Sequence, residues 1–259
     1  MTRGRASRPT WNSYVRRFHT ERPGITEAVL SRCHHNGKTP YEWLTDTTTR
    51  DATVIDLACG SAPTRHQFGQ RWFGIDASTD ELAVAGLDTA GRAVAGDLAR
   101  LPFPDASFEQ AICSMALMII DPLPVALAEI HRVLRPGAEL RILLPTNNPL
   151  TPGDRLRCAR LAFALGTSRL FPPTSFNHPS DSPLRRARFT VRSDERARFV
   201  YRIESGDDAD LLIDSLYLPT PSQQHIAAAH RVATRWVGHE IGVPLRRIVA
   251  SATPSSRRE

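Results

Sequence analysis

Three carboxylates stand where a nucleoside could be held. Asp56, Asp76 and Asp97 close or follow short apolar runs: Val54-Ile-Asp56, Trp72-Phe-Gly-Ile-Asp76 and Ala93-Val-Ala-Gly-Asp97. An acid at the end of the second run can accept two hydrogen bonds from ribose hydroxyls. Asp97 could accept one from an adenine amino group. After the first acid, Ala58-Cys59-Gly60-Ser61 is a string of small residues, and Gly60 lets the backbone approach a ligand closely. Pro63 suits the first turn of a following helix, where its missing N–H costs nothing. Taken singly, each feature has a bland reading: Asp76 as the cap of a helix near Thr79, Asp97 as a turn residue, 56–63 as a plain strand–helix turn. Together the three acids surround the switch point at which open α/β sheets bind ligands.

The ligand that suits this arrangement is not a dinucleotide. A dinucleotide turn reads G-x-G-x-x-G, whereas here Ala58 holds the first glycine position and Pro63 the third. Asp56 would also set a negative charge beside a pyrophosphate. S-adenosylmethionine fits better, having no phosphate and carrying a positive amino group and sulfonium.

The elements that must position these residues alternate. Strands are predicted over 53–57, 72–75, 92–95, 110–114 and 140–144, with helices over 63–70, 79–90 and 122–134 between them. Alternation of this kind indicates βαβ units and a parallel sheet, and right-handed crossovers make it doubly wound. Ahead of it, helices are predicted over 10–18, 25–33 and from Pro40. After Pro145 the pattern gives a helix over 154–165, a mobile Pro/Ser/Arg-rich loop over 166–193, a strand over 196–203, helices over 208–216 and 222–239, and a last strand over 244–250. The apolar run Ala111–Ile120 suits a buried strand.

Four segments in order resemble the class I S-adenosylmethionine-dependent methyltransferases, and within them the type 11 subgroup. Val54-Ile-Asp-Leu-Ala-Cys-Gly-Ser-Ala62 resembles the Asp-x-Gly-Cys-Gly-x-Gly motif, and Gly74-Ile-Asp-Ala-Ser78 the acidic loop after the second strand. Gly96-Asp97 through Leu101-Pro-Phe-Pro-Asp-Ala-Ser-Phe108 resembles the subgroup's GDAxxLPFPDxSFD segment. Glu129-Ile-His-Arg-Val-Leu-Arg-Pro-Gly137 resembles its E-x-x-R-V-L-K/R-P-G-G segment. The resemblance spans roughly residues 50–146, over a third of the chain. It implies a Rossmann-like, mostly parallel seven-stranded sheet with a helical N-terminal cap and a lid insertion. It also implies S-adenosyl-L-methionine as cofactor. Asp56 would lie near the methionine amino group, with Ala58, Cys59, Gly60 and Ser61 along the amino-acid moiety. Asp76 would hold the ribose beside Ala77, Asp97 and Leu98 would meet the adenine, and Ser114 and Met115 would face the methionine moiety and the methyl. Glu129 to Gly137 would be structural. Ala58 and Ala62 depart from the family's glycines. Each methyl narrows the pocket slightly, and at a positive φ an alanine costs roughly 1 kcal/mol or more.

The expected organisation is then a disordered basic tail (1–10), a helical cap (11–50), the cofactor-binding core (51–146), a lid carrying one strand of the sheet (147–243), and a last strand with a basic tail (244–259). The net charge of +6 sits in the ends: residues 1–23 carry +5 and 246–259 carry +3, leaving −2 for the body. No apolar run reaches the length of a membrane helix, and no apolar stretch follows Arg3, Arg5 and Arg8 to make a secretory signal. Four widely spaced cysteines favour neither a disulfide framework nor a metal site, and the expected compartment is the cytoplasm.

The reaction expected is transfer of the sulfonium methyl to an oxygen, nitrogen or carbon nucleophile of a small molecule. An rRNA or tRNA base, tracked by the arginines of 185–202, and a non-catalytic cofactor-binding role are the alternatives. His19, Asp121, His178 and His225 are candidate bases, none singled out by a motif. The cap segment Phe18–Glu27 and the stretch Tyr217–Pro221 are the expected cover of the site. The acceptor and the oligomeric state are left open.

Overall fold

The computed structural model describes residues 11–49, 51–86, 92–167, 170, 183–218 and 222–254. The chain opens with α1 (Trp11–Glu21), α2 (Ile25–Leu30), the two-residue β1 (Cys33–His34) and α3 (Pro40–Thr45). The alternating part follows: β2 (Val54–Leu57), α4 (Arg65–Phe68), β3 (Trp72–Asp76), α5 (Thr79–Val84), β4 (Ala93–Ala95), β5 (Phe108–Ser114), α6 (Leu123–Val133) and β6 (Leu134–Pro145). The remainder is α7 (Pro152–Leu165), α8 (Pro183–Arg186), β7 (Phe189–Arg202), α9 (Gly206–Asp214), α10 (Gln223–Thr234) and β8 (Glu240–Ala252).

Among the described residues the strands form one eight-stranded sheet in the order β1-β7-β8-β6-β5-β2-β3-β4. Strands β4, β3, β2, β5 and β6 are mutually parallel, while β8 is antiparallel to both β6 and β7. This is the doubly wound, mostly parallel architecture expected, enlarged by one edge strand. Its order reverses between β2 and β5, and the carboxyl ends of those strands carry Asp56 and Ser114.

The inner parallel strands are largely buried on both faces, unlike the edge strand β4. Every residue of β2 is buried, as are Trp72, Gly74 and Ile75 of β3 and four of the seven residues of β5 in succession, Gln110 to Cys113. Two apolar clusters result. One joins Ile55, Leu57, Leu127 and Ile142 beneath α6, and the other joins Val54, Trp72, Leu143 and Leu245 to the cap and the later helices.

Three expectations are corrected. The helix expected over 25–33 ends at Leu30, because Cys33 and His34 pair antiparallel with Tyr201 and Val200. The loop expected over 166–193 is ordered from Pro183, with α8 and then β7, whose exposed first half lacks the alternation that marks a strand. The apolar run 111–120 is strand only to Ser114, where Met115 turns the chain at φ 58°. The tail expected over 1–10 and His178 lie outside the described residues.

Glu129 and Arg132 show what the segment before β6 does. Arg132 donates to both oxygens of Glu129, to the Phe103 and Leu101 carbonyls and to Asp105, and Glu129 accepts the Leu101 amide at 3.0 Å. One ion pair on α6 thus fixes the loop that follows β4.

Candidate functional site

A cavity of about 510 Å³ opens at the carboxyl ends of β2, β3, β4 and β5. All three sequence-identified acids line it, together with Ala58, Cys59, Gly60, Ser61, Ala77, Leu98, Ser114 and Met115. Every candidate cofactor residue therefore reaches one cavity, and its volume lies in the usual range for a small-molecule site.

The turn after β2 is built by Asp76. Its Oδ2 accepts the Gly60 amide at 2.8 Å and its Oδ1 accepts the Ser78 amide at 2.7 Å. Two backbone donors hold the carboxylate, yet each oxygen keeps a lone pair for a ligand hydroxyl. Ser78, not Asp76, caps α5. Burial raises the Asp76 carboxyl above its usual range against those two amides. Gly74 on β3 is forced: a Cβ there would stand 2.3 Å from the Trp72 ring and 2.8 Å from Cys59 Sγ.

Asp56 is 2% exposed. Its Oδ2 accepts from Thr64 Oγ1 and, at 3.3 Å, from Trp72 Nε1. Burial pushes its pKa up to about 7, Thr64 and Trp72 pull the other way, and the charge of Asp76 adds to the rise. Asp97 does serve as a turn residue, its Oδ1 accepting the Ala99 amide at 2.9 Å, while it also lines the cavity. Ala58 and Ala62 both lie in the left-handed region, at φ 52° and 60°, as does Gly60 at 52°. The two alanines thus occupy the very conformation that glycine would adopt without a steric cost.

The cover comes from far along the chain. His19 on α1 bonds Glu81 Oε1 through Nδ1 at 2.7 Å and the Tyr217 hydroxyl through Nε2 at 2.9 Å. Glu81 Oε2 accepts the Gly24 amide at 2.8 Å, and Ser61 Oγ donates to Glu27. Tyr14 Oη accepts the Leu218 amide at 2.7 Å, and the Phe18 and Tyr217 rings lie 4.6 Å apart. Both the cap segment and Tyr217 thus meet over the cavity. Of the candidate bases, His19 and Asp121 line it; exposed His225 on α10 does not.

Sequence reasoning missed Glu81. Ser78 and Glu81 have the spacing of a capping box, in which the acid would reach back to the Ser78 amide. Asp76 already takes that amide, and the Glu81 carboxylate turns to Gly24 and His19 instead. Tyr41, Thr26 and Thr64, which also line the cavity, carry no signal in sequence.

The charge of the lining selects its ligand. Glu27, Asp56, Asp76, Asp80, Glu81, Asp97 and Asp121 face the cavity, against Arg16 and His19. A ligand bearing phosphate would meet seven acids; one bearing an ammonium and a sulfonium would find them complementary. Ser114 Oγ is buried at this wall with no hydrogen-bond partner among the described residues. The residues present therefore fit S-adenosylmethionine.

Comparison with known proteins agrees. Residues 55–142 match the family model described as "Methyltransferase domain". This stretch is a class I S-adenosylmethionine-dependent methyltransferase domain. The chain is 33% identical over 112 residues to the demethylmenaquinone methyltransferase of Thermobifida fusca, covering 40% of this chain and 48% of that one. It is 32% identical over 104 residues to the 2-phytyl-1,4-naphtoquinone methyltransferase of Nostoc punctiforme (35% and 45%). It is 34% identical over 95 residues to the malonyl-[acyl-carrier protein] O-methyltransferase of Erwinia pyrifoliae (34% and 35%). The methyltransferase match thus spans less than half the length of each of these relatives. Among solved structures, the [4+2]-cyclase SpnF superposes with a TM-score of 0.59 at 18% identity, covering 95% of this chain and 97% of that one. A methyltransferase described as putative, from Bacillus halodurans, gives 0.52 at 16% (83% and 99%). These likenesses show the fold of the methyltransferase domain and its surroundings.

Proposed function

We propose that the whole chain is a methyltransferase that moves the sulfonium methyl of S-adenosylmethionine to a nucleophile of a small molecule. The observation that carries the reading is the acid-rich cavity at the switch point, with its unpartnered Ser114 hydroxyl. When bound, the cofactor supplies an electrophilic methyl group. The chain's own residues hold and orient it. Asp56 lies where the ammonium of the amino-acid moiety would be balanced, with the 58–61 backbone alongside. Asp76 would accept from the ribose hydroxyls, and Asp97 and Leu98 would face the base. Ser114 and Met115 border the methionine side. The cap and Tyr217 close over these groups and exclude water, which is much of what a displacement of this kind asks of a protein.

The acceptor is read as a small molecule and not an RNA base. The arginines of 185–202 that would track phosphates are engaged within the chain: Arg198 with Asp154, Arg202 with Glu240, Arg196 with Asp194, and Arg192 with Ser251 Oγ. The free cysteines Cys33, Cys59, Cys113 and Cys158 suit a reducing compartment, and we place the protein in the cytoplasm. No helix among the described residues is long and apolar enough to cross a membrane.

Calorimetry of S-adenosylmethionine, S-adenosylhomocysteine and NAD tests the reading. Micromolar binding of the first two, absent for NAD and lost in Asp76→Ala, is expected. Failure of folded protein to bind either adenosyl ligand would overturn it.

A further inference from the structure

The acid-lined cavity has an apolar neighbour. A second cavity of about 120 Å³ is walled by Leu30, Leu161, Leu212, Trp236 and Val243. The two share Thr26, Met115 and Tyr217. Arg157 is the one charged residue among the described residues that line the second. A space of this size and character suits about one six-membered carbon ring, and with Arg157 as its charged wall residue a cationic group inside would lack compensation.

Tyr217 stands in the shared wall, and its hydroxyl ends a hydrogen-bonded chain. The Glu81 side chain is 5% exposed and bonded at 2.7 Å to His19 Nδ1, whose other nitrogen meets Tyr217 Oη at 2.9 Å. A carboxylate only accepts, so Nδ1 carries the proton, and in the neutral ring the Nε2 lone pair receives the Tyr217 O–H. Three residues separated widely in sequence thus form a route for a proton leading away from the junction of the two cavities.

We infer that the second cavity seats the methyl acceptor, an apolar molecule whose nucleophile is a weakly acidic hydroxyl such as a phenol or enol, and that Tyr217 takes its proton. The inference rests on the methyl-transfer reading above. The acceptor O–H donates to Tyr217 Oη while the tyrosine's own proton passes to His19 Nε2, and Glu81 balances the imidazolium. The acceptor oxygen bonds the methyl carbon. The carbon–sulfur bond breaks with its pair left on sulfur, so the sulfonium becomes a neutral thioether. Tyr217 is the catalytic residue, and His19 and Glu81 are positioning residues behind it.

The test uses the full chain with S-adenosylmethionine and two acceptors, 4-propylphenol and the more acidic 4-nitrophenol, with S-adenosylhomocysteine binding measured on every variant. The expected result is methylation of both phenols. Tyr217→Phe should lower kcat on 4-propylphenol by about 100-fold or more, the scale of general-base catalysis, with KM little changed. Its loss on 4-nitrophenol, already largely ionised at mildly alkaline pH, should be much smaller, and His19→Gln should show the same contrast. Leu161→Phe and Val243→Phe, two independent ways of filling the cavity, should each raise KM for 4-propylphenol and leave S-adenosylhomocysteine binding intact. Equal slowing of both phenols by Tyr217→Phe would overturn the inference. So would a wild-type protein that binds S-adenosylhomocysteine but neither binds nor methylates 4-propylphenol. Absence of S-adenosylhomocysteine binding in the wild type would instead defeat the cofactor reading itself.

Discussion

The Asp76 carboxylate, at the end of β3, holds the Gly60 amide of the turn after β2 at 2.8 Å. The carboxylate that shapes the turn is the one proposed above to meet the ribose. Asp76→Ala should therefore remove a ligand contact and loosen the turn together, whereas Asp76→Asn keeps an acceptor for one amide. Calorimetry should show no measurable cofactor binding for the alanine variant. The asparagine variant should bind at least about tenfold more weakly than wild type, because a charge-assisted hydrogen bond is worth about 1.5–3 kcal/mol.

Ala58 and Ala62 share a left-handed backbone but differ in burial. Ala62 is 7% exposed, so its methyl contributes packing, while Ala58 is only half-buried. Relief of the left-handed strain should make Ala58→Gly stabilising by up to about 1 kcal/mol. In Ala62→Gly, loss of a buried methyl worth roughly 0.8 kcal/mol offsets that gain. Denaturant midpoints at unchanged slope would separate the two.

Asp56 should couple cofactor binding to pH. Its pKa is pushed up to about 7 by burial, so the folded protein holds a proton that the unfolded chain releases. This group's contribution to stability is complete below the ordinary carboxylate range and is lost as pH rises through about 7. A ligand ammonium beside it favours the ionised form, so affinity for S-adenosylmethionine should rise with pH by up to roughly tenfold per pH unit below that pKa, with a proton released on binding. Titrations in two buffers of different ionisation enthalpy would detect that proton, and Asp56→Asn should abolish both effects.

Asp154 has the opposite sign. It is 0% exposed, yet it accepts from Arg198 Nε and Nη2, from Thr151 and from the Gly242 amide. Burial raises its pKa, but those donors outweigh burial and hold it below the usual range. Its contribution is present above the ordinary carboxylate range and lost as pH falls through its lowered folded value. Asp154→Asn should cost roughly 3 kcal/mol at neutral pH, since it breaks a buried pair, and should flatten the acid limb of the stability profile.

Much of the site was legible because its acids close strands whose burial is written in short apolar runs. Asp56, Asp76 and Asp97 needed only β2, β3 and β4 to be placed, and the alternation placed them. The relay was not legible. His19, Glu81 and Tyr217 meet through tertiary packing, and Glu81 is disguised as a capping residue. Cys33 of strand β1 reads as helix because it continues an apolar pattern and is claimed only by the distant β7. The first half of β7 was read as loop because both its faces are largely exposed.

Glu129 and Arg132 carry a last mutational expectation. Arg132→Ala should leave the Leu101 and Phe103 carbonyls without their donor and cost about 2 kcal/mol, the scale of unmade bonds in a partly buried network. Because that network fixes the loop following Asp97, cofactor affinity should fall several-fold as well, which thermal melts with and without S-adenosylhomocysteine would show.

Strand β8 follows β7 in sequence but lies between β7 and β6 in the sheet. On a ribosome, β2 through β6 can pair as they emerge, while β7, offered only the two-residue β1, waits for its long neighbour β8. Ile241, Gly242 and Val243 of β8 also wall the apolar cavity. The half of the molecule that would recognise the cofactor is thus assembled mainly from early chain, and the half that would choose the acceptor closes only when the final strand slides into the gap.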